Sequence, residues 1–136
     1  LPAIENAKKV GLIVHTFWIL GYPGETYEEM SETVRFAMNS GADSFSFAIL
    51  SPLPGTPIYR KVIQENLWWD GRGLDDLMFR SSLVKVDGFN GPDEFEQFVS
   101  NVNFKGSFIL SKFLSSSAIG DHSKRAKPLS LNGFSK

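Results

Sequence analysis

The residues best suited to chemistry lie in two short segments rich in glycine and proline, residues 21–26 and 51–57. Glycine lets a backbone approach a ligand closely and proline fixes its own φ, so such segments form rigid turns with free amide groups. The first segment lacks the lysine of a phosphate-binding loop and the spaced glycines of a dinucleotide-binding loop. As isolated patterns both segments are more often structural than functional, because strand-to-helix turns favour Gly and Pro anyway.

The absence of cysteine excludes several kinds of site within these 136 residues. The chain cannot form a disulfide, a thiolate nucleophile, a Cys-ligated zinc site or an iron–sulfur cluster from its own side chains. It also contains no evident carboxylate pair or Ser–His–Asp set. Among the histidines, His15 is either a candidate substrate contact or, as the more frequent case, a residue hydrogen-bonded within the fold; His122 has no assigned role.

The composition predicts one modest soluble domain, with 14 Lys+Arg, 15 Asp+Glu and 42% hydrophobic residues. A net charge of −1 gives no indication of a nucleic-acid partner. The longest apolar stretch, residues 11–21, is about half of the roughly 20 residues that a membrane-spanning helix needs. We therefore expect no membrane span and a cytoplasmic location.

Charge and composition change near the end of the chain. Residues 1–104 carry 8 basic and 14 acidic groups, whereas residues 105–136 carry 6 basic and 1 acidic group and eight serines. We expect residues 117–136 to form a disordered, basic, Ser-rich tail, with a weak contact to phosphate or a partner as the alternative. Because the chain begins at Leu1 within a helix-like segment that has no start signal, we interpret it as a fragment.

Strands and helices alternate around the two turns. Val10–Leu20 is rich in Val, Ile, Phe and Trp, which favours a buried strand. Thr26 followed three residues later by Glu29 is a capping box, which predicts that a helix begins there. The apolar residues of this helix recur at helical spacing before the stop at Gly41: Met30, Val34, Ala37 and Met38.

The same unit then repeats. Asp43–Leu50 alternates apolar and small residues, which predicts a second strand, and Thr56-Pro57 begins a helix over Ile58–Glu65. A strand, a turn and a capped helix, twice in succession, indicate parallel βαβ units whose ligand sites lie beyond the carboxyl ends of the strands. Period-2 alternation places His15, Phe17 and Ile19 on one face of the first strand.

The rest of the chain is predicted to be a connector and a helical extension. Residues 67–89 are rich in Gly and Asp, with Leu83–Val86 as a candidate extended stretch. The connector's Trp68 and Trp69 either line a substrate entrance or, as the more frequent case, cover an open side of the fold. Asn90 or Asp93 begins a helix whose apolar face carries Phe95, Phe98, Val99 and Val102, followed by a second apolar stretch over residues 104–114. We divide the chain into 1–66, 67–116 and 117–136.

The two turns, taken in order and at this separation, resemble those of the radical S-adenosylmethionine (SAM) enzymes. The resemblance rests on Thr16–Thr26 and Leu50–Tyr59, covers residues 1 to about 66, and is greatest to the cobalamin-binding branch. It implies an α/β fold, the C-terminal part of a partial (β/α)6 TIM-like barrel. The two predicted strands would be about the fifth and sixth, followed by a helical extension and a loose tail.

The resemblance also implies the site residues. Ile19 matches the apolar position against the adenine of SAM, the first turn shapes that pocket, and the backbone after the sixth strand meets the adenine edge. Phe17 stands where some branches have glycine, in agreement with the cobalamin-type variant. The implied cofactor-binding residues are Ile19, Gly21, Pro23, Gly24, Glu25, Leu50 and Ser51, although Glu25 is equally explained by the positive end of the following helix.

In the complete enzyme, the resemblance implies reductive cleavage of SAM to a 5′-deoxyadenosyl radical by a four-iron four-sulfur cluster. The cluster ligands, on a Cys-x3-Cys-x2-Cys loop, would lie outside this chain, so the fragment alone would be inactive. A cobalamin domain, also outside the chain, would add methylation or oxidative cyclisation. The implied partners are a small-molecule substrate, an electron donor and the missing N-terminal half of the barrel.

Two other classes of protein are also consistent with the residues. A small noncatalytic α/β module could use its sheet edge and aromatic residues to bind a partner protein, with the turns serving only packing. Another partial α/β barrel, such as a hydrolase, would need acid and base residues at the strand ends, where only Glu25 and Ser51 are available.

Overall fold

A computed structural model of the chain describes residues 1–78 and 80–117, with side chains described as far as Phe104. The helices and strands are α1 Pro2–Lys9, β1 His15–Leu20, α2 Tyr27–Met38, β2 Ser44–Ile49, α3 Pro57–Gln64, a short 3₁₀ helix Leu74–Asp76, and α4 Pro92–Ser117. The predicted α/β class is confirmed. The predicted tail over 117–136 lies outside the described residues apart from Ser117.

The two strands pair in parallel, as the sequence predicts. The register runs from His15 beside Ser44 to Leu20 beside Ile49, so the strands begin and end together. The turns that follow both strands therefore lie side by side at the carboxyl end of the sheet. Parallel α/β folds bind their ligands at this end.

Helices cover one face of this sheet. Leu20 and Phe47 point to that side and are completely buried with Met30 of α2 and Phe95 of α4. The alternation predicted for β2 is confirmed, since Phe45, Phe47 and Ile49 are buried in this core. The core joins residues from both sides of position 66, and the division of the chain at 66 and 116 stays a prediction.

The helices begin where the capping residues predict. The Glu29 backbone N–H donates to Thr26 Oγ1 over 3.2 Å, and the Thr26 N–H donates to Glu29 Oε2 over 2.8 Å. The hydrogen bond from the Thr26 N–H has the larger effect on the Glu29 carboxyl, and the one from the Thr26 hydroxyl has the smaller. Both lower its pKa. Thr56 caps α3 by accepting the Tyr59 N–H over 3.2 Å. Both helix starts are therefore set by local hydrogen bonds.

The prediction of a strand from Val10 is wrong for its first five residues. Helix α1 ends at Lys9, and Gly11 follows with φ of +83°, a left-handed conformation that reverses the chain. The Leu12 N–H donates to the Ala7 carbonyl, which holds this turn against the helix end. Strand propensity in residues 10–14 is thus overridden by a helix-terminating turn.

The connector after α3 packs around a second, smaller core. Val62 of α3, Leu83 and Val84 are buried there, and Trp68 packs against them. Trp68 and Val84 also form an isolated antiparallel bridge, so the candidate extended stretch makes one pair rather than a strand. In the described residues the connector's Trp68 is a packing residue.

The predicted helical extension forms one long helix, α4. It begins at Pro92, between the two candidate start residues, and continues through residues 104–114. As far as residue 104, where the description of side chains ends, its buried residues are Phe95, Val99 and Val102, which pack on the helix-covered face of the sheet. Within the described part of the chain, no helix has the length and apolar character needed to cross a bilayer.

Candidate functional site

The open face of the sheet leads to the carboxyl ends of both strands. His15, Phe17 and Ile19 point to this side, and Phe17 and Ile19 are 77% and 62% exposed. The register sets Ile19 beside Ala48, a small residue that leaves the isoleucine side chain uncovered. The end of β1 therefore presents an apolar wall beside the two turns.

The first turn is held together by its own carboxylate. Glu25 Oε2 accepts the Gly21 N–H over 2.8 Å and the Tyr22 N–H over 3.1 Å. The Glu25 N–H in turn donates to the Tyr22 carbonyl over 2.8 Å. Glu25 thus occupies the amide groups of two turn residues, and this fixes the backbone after β1.

Glycine at position 21 is required by both conformation and space. Its φ is +86°, in the left-handed region, and a Cβ there would stand 2.7 Å from Phe95 Cε1. Gly24 has φ of +91° but nothing within 4 Å of such a Cβ. Pro23 between them is buried. The turn therefore has one side packed on α4 and one side open.

The second turn continues directly from the sheet ladder. The Leu50 N–H donates to the Leu20 carbonyl over 2.9 Å, which ties the start of this turn to the end of β1. Ser51 is half-buried, and the Thr56 hydroxyl donates to the Leu53 carbonyl over 2.7 Å to close the turn before α3. The structure thus brings together, at one end of the sheet, all seven predicted cofactor-binding residues. Their contact with a ligand stays a prediction.

His15 lies at the opposite end of the strands from these turns. Its Nδ1 is 2.6 Å from Ser44 Oγ and its Nε2 is 3.1 Å from Ser46 Oγ. Both ring nitrogens therefore have hydroxyl partners within the sheet, as the more frequent of the two interpretations expects. Phe17 makes an edge contact with the imidazole, with ring centroids 4.5 Å apart.

Sequence reasoning missed Asn103 and Asp43. The Asn103 side-chain amide pairs with both backbone groups of Phe47, over 2.7 and 2.8 Å. Asp43, whose side chain is 3% exposed, accepts from Lys8 Nζ and from the Val14 N–H. Asn103 could have been noticed as a polar residue one position after Val102 on the apolar face of α4, whereas nothing local to Asp43 predicts its partners.

The described residues offer no cluster of three or more His, Cys, Asp or Glu side chains that could hold a metal ion. The sequence also has no cysteine, so thiolate ligands are absent from the whole chain. The site is consequently an apolar wall with rigid, hydrogen-bonded backbone turns. Such a wall can position a flat apolar ring but offers no acid–base pair.

Comparison with curated proteins finds several enzymes that match parts of this chain. An uncharacterised methyltransferase of Pyrococcus horikoshii is 39% identical over 67 residues, which are 49% of this chain and 15% of the relative. Cytidylyl-2-hydroxyethylphosphonate methyltransferase of Streptomyces wedmorensis is 27% identical over 106 residues, 74% of this chain and 20% of the relative. A tRNA-2-methylthio-N(6)-dimethylallyladenosine synthase of Alkalilimnicola ehrlichii is 32% identical over an alignment 131 positions long with its gaps, which covers 78% of this chain and 29% of the relative.

The chain thus spans less than a third of the length of each of these relatives. No known protein-family profile matches it. No solved structure matches it either. The similarity to these enzymes supports a relationship to the radical SAM superfamily. The two turns show the same resemblance in sequence.

Proposed function

We propose that this chain supplies the fifth and sixth strands of a radical SAM enzyme's partial barrel and forms part of its SAM site. The observation that carries the proposal is the meeting of the two turns: the Leu50 N–H bonds the Leu20 carbonyl over 2.9 Å at the end of a parallel pair. An exposed apolar residue, Ile19, stands beside that junction. The similarity to enzymes of this superfamily supports the same assignment.

The residues present fit the adenosyl part of SAM. Adenine has flat apolar faces and a polar rim, so its site needs an apolar side chain against a face and backbone groups at the rim. Ile19 offers the first, since its side chain is exposed beside small Ala48. The Leu50 N–H is bonded to the Leu20 carbonyl, so the Leu50 carbonyl and the Ser51 backbone, where the ladder ends, would meet the rim. The ring would lie on Ile19 with its rim toward these groups.

The first turn contributes by position. Glu25 ties the amides of Gly21 and Tyr22, and this keeps the backbone after Ile19 in one conformation. A rigid wall reduces the entropy that binding costs, because less of the protein must be ordered by the ligand. In this proposal Gly21, Pro23 and Gly24 shape the pocket, and Glu25 holds that shape.

The chain's residues do not fit an iron–sulfur cluster, because the sequence has no cysteine. We therefore assign the cluster ligands, the binding of cobalamin and contact with the electron donor to residues outside this chain. The activity proposed for the complete enzyme is reductive cleavage of SAM to a 5′-deoxyadenosyl radical. A Cys-x3-Cys-x2-Cys segment encoded before Leu1 would support this assignment.

The partner proposed for this chain is the rest of the barrel, seated at the free edge of β1. Carbonyls of Val14 and Leu20 accept bonds from β2, and residues alternate along a parallel ladder. The backbone groups of His15, Phe17 and Ile19 therefore point away from β2. Among the described residues no strand pairs on that side. A preceding strand of the barrel would use these groups.

The small-molecule substrate would lie over the open face below the adenosyl group. Phe17 is the next residue toward the start of β1 on this face, and His15 follows with its ring nitrogens engaged by serines. An exposed aromatic ring there suits an apolar part of a substrate. Methyl transfer to an unreactive carbon and oxidative ring closure are both consistent with such a wall.

Calorimetric titration of the complete enzyme with SAM tests this proposal. Ile19→Asp should weaken SAM binding by about fivefold to 150-fold, because an unpaired carboxylate would be forced against the adenine face at a cost of about 1–3 kcal/mol. Ile19→Leu should bind nearly as well as the unmodified enzyme.

Ile63→Asp is the matched control, since Ile63 is 52% exposed in the last turn of α3 and is not one of the predicted SAM-binding residues. It should leave SAM affinity unchanged. Equal affinities for Ile19→Asp and Ile63→Asp would contradict the placement of adenine on Ile19.

A further inference from the structure

Three polar side chains form a hydrogen-bonded group on the open face of the sheet. His15 Nδ1 is 2.6 Å from Ser44 Oγ, and His15 Nε2 is 3.1 Å from Ser46 Oγ. Ser44 is paired with His15 in the ladder, and Ser46 is the next residue of β2 on the same face. One imidazole of β1 thus joins two hydroxyl groups of β2.

Burial of Ser44 determines which nitrogen of the imidazole carries the proton. Ser44 is 3% exposed, and among the described residues its hydroxyl has His15 Nδ1 as its only hydrogen-bond partner. A neutral imidazole has one N–H donor and one nitrogen acceptor. If Nδ1 carried the proton, the buried Ser44 O–H would have no acceptor, which is costly. The Ser44 hydroxyl therefore donates to Nδ1, and Nε2 carries the proton.

This tautomer leaves the Ser46 hydroxyl with a hydrogen to donate. The His15 Nε2–H donates to Ser46 Oγ, and this is the only side-chain hydrogen bond of Ser46 among the described residues. Ser46 is half-buried and paired with Phe17, which is 77% exposed on the open face. The other tautomer would reverse the polarity, because Ser46 would then donate to the ring and offer only lone pairs.

The surroundings of Ser46 also favour an acceptor oxygen. The residues of the two strands that point to the open face include no Asp or Glu: His15, Phe17, Ile19, Ser44, Ser46 and Ala48. Phe17 offers an apolar surface beside the hydroxyl, and Ile19 follows two residues later, about 7 Å further along a strand. A molecule that places an oxygen on Ser46 can therefore lie over Phe17 and reach the proposed position of the adenosyl group.

We infer that Ser46 donates a hydrogen bond to a carboxylate or carbonyl oxygen of the substrate, and that Ser44 and His15 fix the direction of this bond. Ser46 is then a binding residue, whereas His15 and Ser44 are positioning residues that act through its hydroxyl. Assigning the oxygen to the substrate rests on the proposed function. Because the donor can be probed without SAM, its failure and a failure to bind SAM are separate results.

The tautomer of His15 is the first measurement. Long-range proton–nitrogen NMR spectra of the isotope-labelled chain at pH 8 should show Nε2 protonated and Nδ1 bare. The chain has two histidines, so His122→Gln leaves one imidazole to observe. Ser44→Ala should raise the fraction protonated on Nδ1, because it removes the donor to that nitrogen. A ring protonated mainly on Nδ1 in the unmodified chain would overturn the inference, and so would a ratio that Ser44→Ala does not change.

Benzoate is the probe for the outward donor, because its carboxylate accepts hydrogen bonds and its ring can lie on Phe17. Its titration should shift the NMR signals of His15 and Ser46. Ser46→Ala should weaken benzoate binding by about threefold to tenfold, as expected for the loss of one hydrogen bond. Ser46→Thr keeps a hydroxyl and should retain most of the affinity. Benzylamine should bind more weakly than benzoate, because its ammonium group has donors only.

Ser81→Ala is the matched control, since Ser81 is also half-buried and lies in the connector. It should leave the affinity for benzoate unchanged. Equal losses in Ser46→Ala and Ser81→Ala would contradict a donor at Ser46. Absence of benzoate-induced shifts at Ser46 would overturn the inference as well, and so would benzylamine binding as tightly as benzoate.

Discussion

The two faces of the β1–β2 sheet are built from the same short strands and have opposite surroundings. On the helix-covered face Leu20 and Phe47 are completely buried. On the open face Phe17 and Ile19, their near neighbours in sequence, are 77% and 62% exposed. Apolar residues thus occur on both faces, but in the described residues only one face has helices packed on it.

This difference in burial separates residues that stabilise the fold from residues whose side chains are available to contact a ligand or a partner. Side chains on the covered face are already at close packing with α2 and α4, so any change there alters stability. Side chains on the open face contribute little to that core. Contiguous exposed apolar residues commonly mark a ligand or protein interface, and in our proposal this face meets both SAM and the rest of the barrel.

The largest expected difference between the faces is in the free energy of unfolding. Phe47→Ala should destabilise the chain by about 3–5 kcal/mol, because it leaves a cavity in the helix-covered core. Phe17→Ala removes the same atoms from the open face and should change stability by less than about 0.5 kcal/mol. Urea unfolding of both variants compares them directly, and similar losses would mean that the open face is packed as well.

The turn after β1 extends the comparison, since one of its glycines faces the helices and the other faces open space. Gly21→Ala combines left-handed strain of about 1–2 kcal/mol with a collision against Phe95 that costs about 1–3 kcal/mol. Gly24→Ala introduces only the left-handed strain, because nothing lies within 4 Å of its added Cβ.

Thermal unfolding of the two glycine variants should therefore give the lower midpoint for Gly21→Ala. Phe95→Leu in the Gly21→Ala background should restore part of the loss by removing ring atoms from the contact. A Gly24→Ala midpoint as low as that of Gly21→Ala would show that Phe95 contributes nothing to the requirement for glycine.

Features set by neighbours in sequence were predictable. The capping box of Thr26 and Glu29 and the Thr56 cap each join residues three apart, and the alternation over β2 is visible in its own six residues. The start of β1 was not predictable from propensity, because the left-handed turn at Gly11 decides where the strand can begin. Local composition around Val10 favours a strand regardless.

The candidate site was predictable only in part for the same reason. Its two turns each carry a sequence pattern, and the parallel pairing that joins them follows from the βαβ order. The Asn103 contact with Phe47 spans 56 residues, and no local pattern specifies which backbone an asparagine on a helix will meet. Packing of α4 on the sheet determines that contact, and packing is a property of the whole fold.

The smallest expected effect concerns the start of α2, the helix on the covered face. Hydrogen bonds from the Thr26 N–H and hydroxyl lower the pKa of the Glu29 carboxyl from its ordinary value of 4.5. A carboxyl whose pKa is lower in the folded state contributes stability above its unfolded pKa and loses it as the pH falls through the folded value. The capping box should therefore support α2 at pH 7 and fail in acid.

Glu29→Ala should accordingly unfold at a slightly lower urea concentration than the unmodified chain at pH 7, and the gap should close as the pH falls below 4.5. Glu28→Ala is the control, since Glu28 is exposed in the same first turn and outside the capping box. A gap for Glu29→Ala that stays constant between pH 7 and pH 3 would mean that Glu29 acts through packing of its methylenes and not through its charge. Of the capping-box hydrogen bonds, only the one from the Glu29 N–H to Thr26 Oγ1 would then support the start of α2.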